Sequence, residues 1–410
     1  MDYGLIGERL PHSFSKEIHE KIADYQYSLL ELKPDEVERF ILSKNFKAIN
    51  VTIPYKQTVI PYLDEIAPEA QAIGAVNTVV NRGGVLYGYN TDFGGMRALI
   101  ERTEVDLKYK KALILGTGGT SRTAKAVCER LGAKEILRVS RSGREDSITY
   151  EQAYADHADA DVIINTTPCG MFPDIFDHPI DPGRFPNLSG VIDAVYNPLN
   201  TELVLQARDR GLNASGGLYM LVAQAVLAAE YFMDKELDAV KLTNEIYDEI
   251  YFSKRNIVLS GMPGCGKSTV GRIVARQLGR DFIDTDALIV ERAGEIKRIF
   301  AEHGEAYFRD LETEVIKELA PEGGKVISLG GGAILRDGNV DALRRNGEIF
   351  FIDRAPESLI PTDDRPLADE KAKITALYEQ RIDRYMATAD YIIDGDCDPE
   401  DVADSIINGE

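Results

Sequence analysis

The stretch NIVLSGMPGCGKSTVGRIVARQLG, residues 256–279, decides how the second half of this chain folds. An apolar β-branched run leads into Gly261-x-x-x-x-Gly266-Lys267-Ser268 and then into an amphipathic segment, the order strand, phosphate loop, helix. Backbone N–H groups from Gly264 to Ser268 would cradle a β-phosphate, with Cys265 and Thr269 completing the ATP loop. Lys267 would neutralise charge on the β- and γ-phosphates, and Ser268 would ligate Mg2+. The loop predicts a nucleotide-binding parallel α/β domain and leaves open what receives the phosphoryl group.

Upstream, the same alternation recurs in ALILG 112–116, EILRVS 135–140, DVIINT 161–166 and GVIDAVY 190–196, and downstream in KVISLGG 325–331 and EIFFID 348–353. That is the rhythm of parallel sheets covered by helices. A last helix over 237–252 and the polar SKRN at 253–256 precede the phosphate loop. The expected division is therefore 1–253 and 254–410.

The chain has 410 residues, 44% hydrophobic and 28% charged, with a formal net charge of -21. That surface should repel phosphate backbones, which argues against nucleic acid as a partner. The four cysteines and five histidines show no metal-ligand spacing, and a reducing cytoplasm is the simplest setting. No secretory signal is expected from MDYGLIGERL. The apolar stretch GLYMLVAQAVLAAEYF is broken by Gln224 and too short to span a bilayer, so no membrane segment is expected. The oligomeric state is not legible.

In KALILGTGGTSRTAKAVCERLGA, Gly116, Gly118 and Gly119, with Thr120, would let a pyrophosphate approach a helix N-terminus. The spacing is G-x-G-G, which a plain tight turn also produces. After the next strand comes VSRSGRE, where Arg141, supported by Ser140, Ser142 or Arg144, suits a 2′-phosphate, whereas an NAD site prefers an acid there. NADP(H) is favoured over NAD.

The motifs GERLPHSFSKEIH, INVTIPYK 49–56, GAVNT 74–78, GYNTDFGG 88–95, INTTPCGM 164–171, DAVYNPLNT 193–201 and ASGGLYMLVAQA 214–225 occur in one order. Together they resemble shikimate dehydrogenase across nearly all of residues 1–250, which implies a substrate-binding α/β domain from residues of about 1–95 and 233–253 and an NADP-binding Rossmann domain from about 96–232. The resemblance implies that Ser13 and Ser15 bind the substrate carboxylate and that Thr52, Asn77, Asn90 and Gln224 bind its hydroxyls. By the same carry-over, Gly170, Met171 and Gly217 line the nicotinamide side and Tyr196 the substrate side. It makes Lys56 and Asp92 the catalytic pair. Reducing a ring ketone needs a proton for the developing alkoxide, and a desolvated lysine beside a carboxylate can supply it.

Downstream of the phosphate loop, FIDTDALI 282–289, IFAEHGEAYFRDLE 299–312, SLGGGA 328–333, DDRPLA 363–368 and YEQRIDRY 378–385 resemble shikimate kinase over about 150 residues. That resemblance implies Asp284 on the magnesium side and Asp286 orienting the attacking hydroxyl, two carboxylates expected at a strand end. Arg309 and Arg381 would clamp the acid's carboxylate, and the backbone of Gly331 and Gly332 would approach its ring. Arg365 would be the lid arginine closing on the γ-phosphate. Two departures stand out: a short lid with Ile360-Pro361, and Asp383 where the family has proline.

The two resemblances imply consecutive steps on one metabolite, 3-dehydroshikimate to shikimate with NADPH, then shikimate 3-phosphate with ATP. Two alternatives remain open. The second half could be a nucleotide-sensing regulatory module, or the chain could join a dehydrogenase for quinate or a related hydroxy acid to another small-metabolite kinase.

Overall fold

The computed structural model describes residues 1–10, 13–143, 146–359 and 371–409. His12, Arg144, Ile360, Pro361 and Arg365 lie outside the described residues. The chain divides into two compact units, Met1–Tyr251 and Phe252–Glu410, and the division falls inside the helix Ala239–Lys254.

The first unit holds two sheets. One contains β1 (Tyr3–Gly7), β2 (Tyr27–Glu31), β3 (Ala48–Val51), β4 (Glu65–Ile66), β5 (Thr78–Arg82) and β6 (Val85–Tyr89), in the order β2-β1-β3-β5-β6-β4. It is mixed, and it lies outside the alternating runs of residues 112–353 from which parallel sheets are expected. β3 and β5 pair antiparallel, as do β5 and β6. For β5 and β6 the cause is local: Arg82 faces Val85 across Gly83 and Gly84, both at positive φ, and a two-residue turn of that kind favours glycine.

The second sheet contains β7 (Lys111–Leu115), β8 (Glu135–Val139), β9 (Ser147–Ile148), β10 (Val162–Asn165), β11 (Gly190–Asp193) and β12 (Asn213–Ser215). All its pairings are parallel, in the order β12-β11-β10-β7-β8-β9. β7, β10 and β11 are buried at every position, as strands covered on both faces must be. β7 sits where the strand order reverses, and the helix Gly119–Arg130 starts at its carboxyl end. Such a switch point is where parallel sheets hold ligands.

The second unit is one parallel sheet of β13 (Asn256–Ser260), β14 (Phe282–Asp284), β15 (Val326–Ser328), β16 (Gly347–Asp353) and β17 (Tyr391–Asp394), ordered β14-β15-β13-β16-β17. β13 is central and fully buried, and it delivers its loop to the helix Lys267–Leu278. Among the described residues no helix is long and apolar enough to cross a membrane.

Candidate active sites

In the first unit the hairpin and the helix after it assemble a buried polar cluster. Lys56 follows β3, and its Nζ lies 2.6 Å from Asp92 Oδ2, with the two side chains 12% and 7% exposed. Asp92 opens the helix Asp92–Arg102, where a negative charge meets the positive end of the helix dipole. Asn77 Nδ2 donates to Asp92 Oδ1 at 2.9 Å, to Thr91 Oγ1 at 3.0 Å and to Gln224 Oε1 at 3.4 Å. The Asn77 amide cannot turn over, because its Oδ1 accepts the Thr91 N–H at 2.8 Å and the Thr78 hydroxyl at 3.1 Å. Thr78 is itself held by Asn50 Nδ2 at 3.1 Å.

The dinucleotide helix comes directly against this cluster. A β-carbon at Gly119 would stand 3.5 Å from Lys56 Cβ and Cδ, so the helix start faces the lysine stem. At Gly118 a β-carbon would meet nothing within 4 Å. That open helix N-terminus fits the pyrophosphate of a dinucleotide.

Ser13 Oγ accepts the Ser15 N–H at 3.3 Å and hydrogen-bonds Tyr196, whose phenol burial pushes up. Phe14 and Tyr196 pack with Leu218 and Val222 on the helix that carries Gln224. Thr52 lies at the end of β3, partly buried. Gly217 caps that same helix, hard against the Ala194 backbone, while Gly170 is left-handed and Met171 is 42% exposed. Asn90 is engaged by the fold itself, donating to Ala75 O and accepting from the Phe93 N–H. Arg141 and Ser142 are exposed, whereas Ser140 is bonded to Ser147 and to the Gly143 N–H within the turn.

A second polar knot escapes the motif reading. Asp193 ends β11 fully buried and accepts from Asn165 Nδ2 at 2.9 Å, Val195 N at 2.9 Å and Thr201 Oγ1 at 2.7 Å. Asn165 in turn holds Thr167, at the start of the segment that leads to Gly170. The signal available was a polar residue closing each of two apolar strands. Burial pushes the Asp193 carboxyl up to about 7 against those three donors.

Folding therefore takes up a proton at Asp193, and this group's contribution to stability is fully present below about 3.8 and lost as pH rises through about 7. Asp193→Asn keeps the shape and removes the titration. It should flatten that part of the pH dependence of the first unit's melting temperature. An unchanged pH slope in the variant would show that Asp193 does not titrate there.

In the second unit, Lys267 is 4% exposed, and its Nζ donates to Gly261 O at 2.8 Å and Met262 O at 3.0 Å. Ser268 Oγ donates to Asp284 Oδ2 at 2.6 Å. A hydroxyl and a carboxylate are hard oxygen donors suited to Mg2+. Among the described residues no cluster of three or more His, Cys, Asp or Glu could hold a metal by itself. Mg2+ is usually bound through one or two such oxygen ligands together with substrate phosphates.

Asp286 departs from expectation, for it lies in the first turn of the helix Thr285–Ala293 and not at a strand end. Asp284 causes this. Its Oδ1 accepts the N–H groups of Asp286 and Ala287 at 3.1 and 3.2 Å, so the helix starts at once.

Arg309 lies in the stretch Ile296–Leu319, on the helix that follows a kink at left-handed Gly304, and is gripped by Glu312 at 2.9 Å and Glu305 at 3.1 Å. Glu312 is completely buried, and burial pushes its carboxyl up to about 7 against the pull of Arg309, with the Asp286 charge adding to the rise. It too escapes the motif reading. The i,i+3 spacing to Arg309 on one helix face was the signal.

The glycine loop after β15 is shaped by these groups. A β-carbon at Gly330 would collide with Asp286 Oδ1 and Glu312 Oε1, and one at Gly332 with the Arg309 guanidinium. Arg381, 6% exposed on the helix Lys371–Thr388, donates to Gly331 O at 3.0 Å. The helix runs through exposed Asp383 without a break. Gly264, Cys265 and Gly266 complete the loop between β13 and its helix, with Cys265 buried and Gly264 and Gly266 left-handed, and Thr269 lies in the first turn of that helix.

Comparison with known proteins agrees with both halves. The family model described as shikimate dehydrogenase substrate binding domain matches residues 5–79, and that described as shikimate kinase matches residues 263–409. Over 265 residues the chain is 38% identical to a shikimate dehydrogenase (NADP(+)) of Clostridium beijerinckii, covering 60% of this chain and 96% of that protein. Among solved structures, a chorismate mutase/shikimate 5-dehydrogenase fusion protein from Clostridium acetobutylicum is similar at TM-score 0.57 and 34% identity. That match covers 60% of this chain and 96% of the other. The Thermus thermophilus shikimate 5-dehydrogenase in complex with NADP(H) and shikimate matches at TM-score 0.54 and 25% identity, over 61% and 99%.

Proposed function

We propose, from the premise that the chain belongs to the shikimate dehydrogenase family through its first unit and carries a shikimate kinase domain in its second, that it performs two consecutive reactions. NADP-linked reduction of 3-dehydroshikimate yields shikimate, and ATP-linked phosphorylation yields shikimate 3-phosphate. The observation that carries the first step is the buried Lys56–Asp92 pair standing against Gly119.

The nicotinamide supplies the hydride. Lys56 supplies the proton to the developing alkoxide from its ammonium, Asp92 holds that ammonium in place, and Asn77 holds Asp92. Ser13, Ser15 and Tyr196 take the carboxylate end, while Thr52 and Gln224 bind hydroxyls. Cofactor choice falls to Arg141 in the exposed turn after β8. Arg141→Ala should raise the KM for NADPH about tenfold or more, the worth of one charged hydrogen bond, and leave that for NADH nearly unchanged. Equal kcat/KM for the two cofactors in the wild type would remove Arg141 from this role.

For the second step, ATP supplies the phosphoryl group and Lys267, Ser268 and Asp284 hold its phosphates and Mg2+. Asp286 accepts the hydroxyl proton, and Arg309 and Arg381 bind the carboxylate. Support comes from their convergence on the glycine loop after β15. The test is direct: the protein given shikimate and Mg-ATP should release ADP in step with shikimate consumption. No ADP under any condition sinks the kinase reading and leaves the dehydrogenase standing.

A further inference from the structure

We propose that Tyr385 couples the phosphate loop to the glycine loop of the second unit, its one phenolic proton being shared between a carbonyl of each. The inference rests on the reading that this unit binds ATP and shikimate together.

Tyr385 OH donates to Gly261 O, at the start of the phosphate loop, at 3.1 Å, and also to Gly331 O in the glycine loop. Each carbonyl has a second, cationic donor: Lys267 at 2.8 Å for Gly261 and Arg381 at 3.0 Å for Gly331. The loops touch as well, since a β-carbon at Gly331 would stand 2.9 Å from Pro263. The phenol ring is 1% exposed and stacks on Phe351 at 5.0 Å and 11°, and Phe351 lies on β16 beside β13. The ring is fixed, and what can move is the proton.

A hydroxyl has one proton and cannot serve two carbonyls at full strength. When Lys267 turns from Gly261 O toward a bound phosphate, that carbonyl loses its ammonium donor and the phenol proton replaces it. Gly331 O then depends on Arg381. Arg381 spends one N–H there and keeps others for a carboxylate, so a firmer bond to Gly331 orients the fork before the acid arrives. Nucleotide binding should therefore favour acceptor binding, and by linkage the acceptor should favour the nucleotide equally. Tyr385 is a positioning residue in this scheme.

The experiment measures the Kd of a fluorescent ADP analogue on the full chain with and without saturating shikimate. The wild type should bind the analogue roughly threefold to tenfold more tightly with shikimate present, the worth of one hydrogen bond. Tyr385→Phe, which keeps the ring stack, should bring the ratio to about one. Phe351→Leu, which loosens the stack and keeps the hydroxyl, should retain it.

Shikimate held by the first unit acts alike on wild type and variant, so their difference isolates Tyr385. A ratio unchanged in Tyr385→Phe overturns the proposal, as does its loss in Phe351→Leu alone. A wild-type ratio of one with ADP still formed from shikimate overturns the coupling and spares the kinase reading. A ratio of one with no ADP formed takes both down.

Discussion

Lys56→Ala should lower kcat for NADPH-dependent reduction of 3-dehydroshikimate by roughly 10²–10⁴, the range for a lost general acid. ADP release from shikimate and Mg-ATP should stay as it was. The expectation follows from the pair's geometry, because a 2.6 Å contact between two largely buried groups holds the ammonium at one point. Among the described residues Asp92, 7% exposed, would keep the Asn77 amide and the helix start as partners, so some loss of stability in the first unit should accompany the loss of rate. The two are separable. Asp92→Asn removes the charge that steadies the lysine and keeps the ammonium, and it should slow the reaction less than Lys56→Ala does. A Lys56→Ala variant that melts like the wild type and reduces at a similar rate would end the assignment of Lys56 as acid.

The parts legible in the sequence are those set by local rules. β13 with its phosphate loop and β7 with its glycine turn each combine a short apolar strand, glycines at defined offsets and a helix start, all within about two dozen residues. The mixed sheet was less legible because attention to alternating runs hides a two-residue glycine hairpin, although Arg82-Gly83-Gly84-Val85 carries a strong local signal. Asp286 was misplaced by one element because cap formation by Asp284 depends on a side-chain turn that periodicity does not register.

Least legible were Asp193, Glu312 and Tyr385. Each owes its importance to burial, and two of them to distant partners as well: Asn165 is 28 residues from Asp193, and Gly261 is 124 from Tyr385, whereas Glu312 bonds Arg309 three residues away. Asn77 shows the mixed case, since its place beside a strand was readable while the Thr78, Thr91 and Asn50 bonds that orient its amide were not.

Lys267→Ala should cut ADP formation from shikimate and Mg-ATP by about 10²–10³, the usual cost of removing one preorganised donor from a developing charge. Dehydrogenase turnover should be untouched, and loss of both activities in a folded variant would contradict independent chemistry in the two units. The size of the effect has two sources that the structure separates. Without ligand, Nζ bridges Gly261 O and Met262 O and so straps the loop in the curved form that presents its N–H groups. With a phosphate in the loop, the same ammonium supplies counter-charge in a site where Lys267 is only 4% exposed and water screens little. Lys267→Met keeps much of the aliphatic stem while losing both functions of the head group. It should melt closer to the wild type than Lys267→Ala does and be equally slow. If Lys267→Met instead recovers most of the ADP rate, the strap and the counter-charge are both dispensable, and the phosphate loop binds its nucleotide through backbone N–H groups alone.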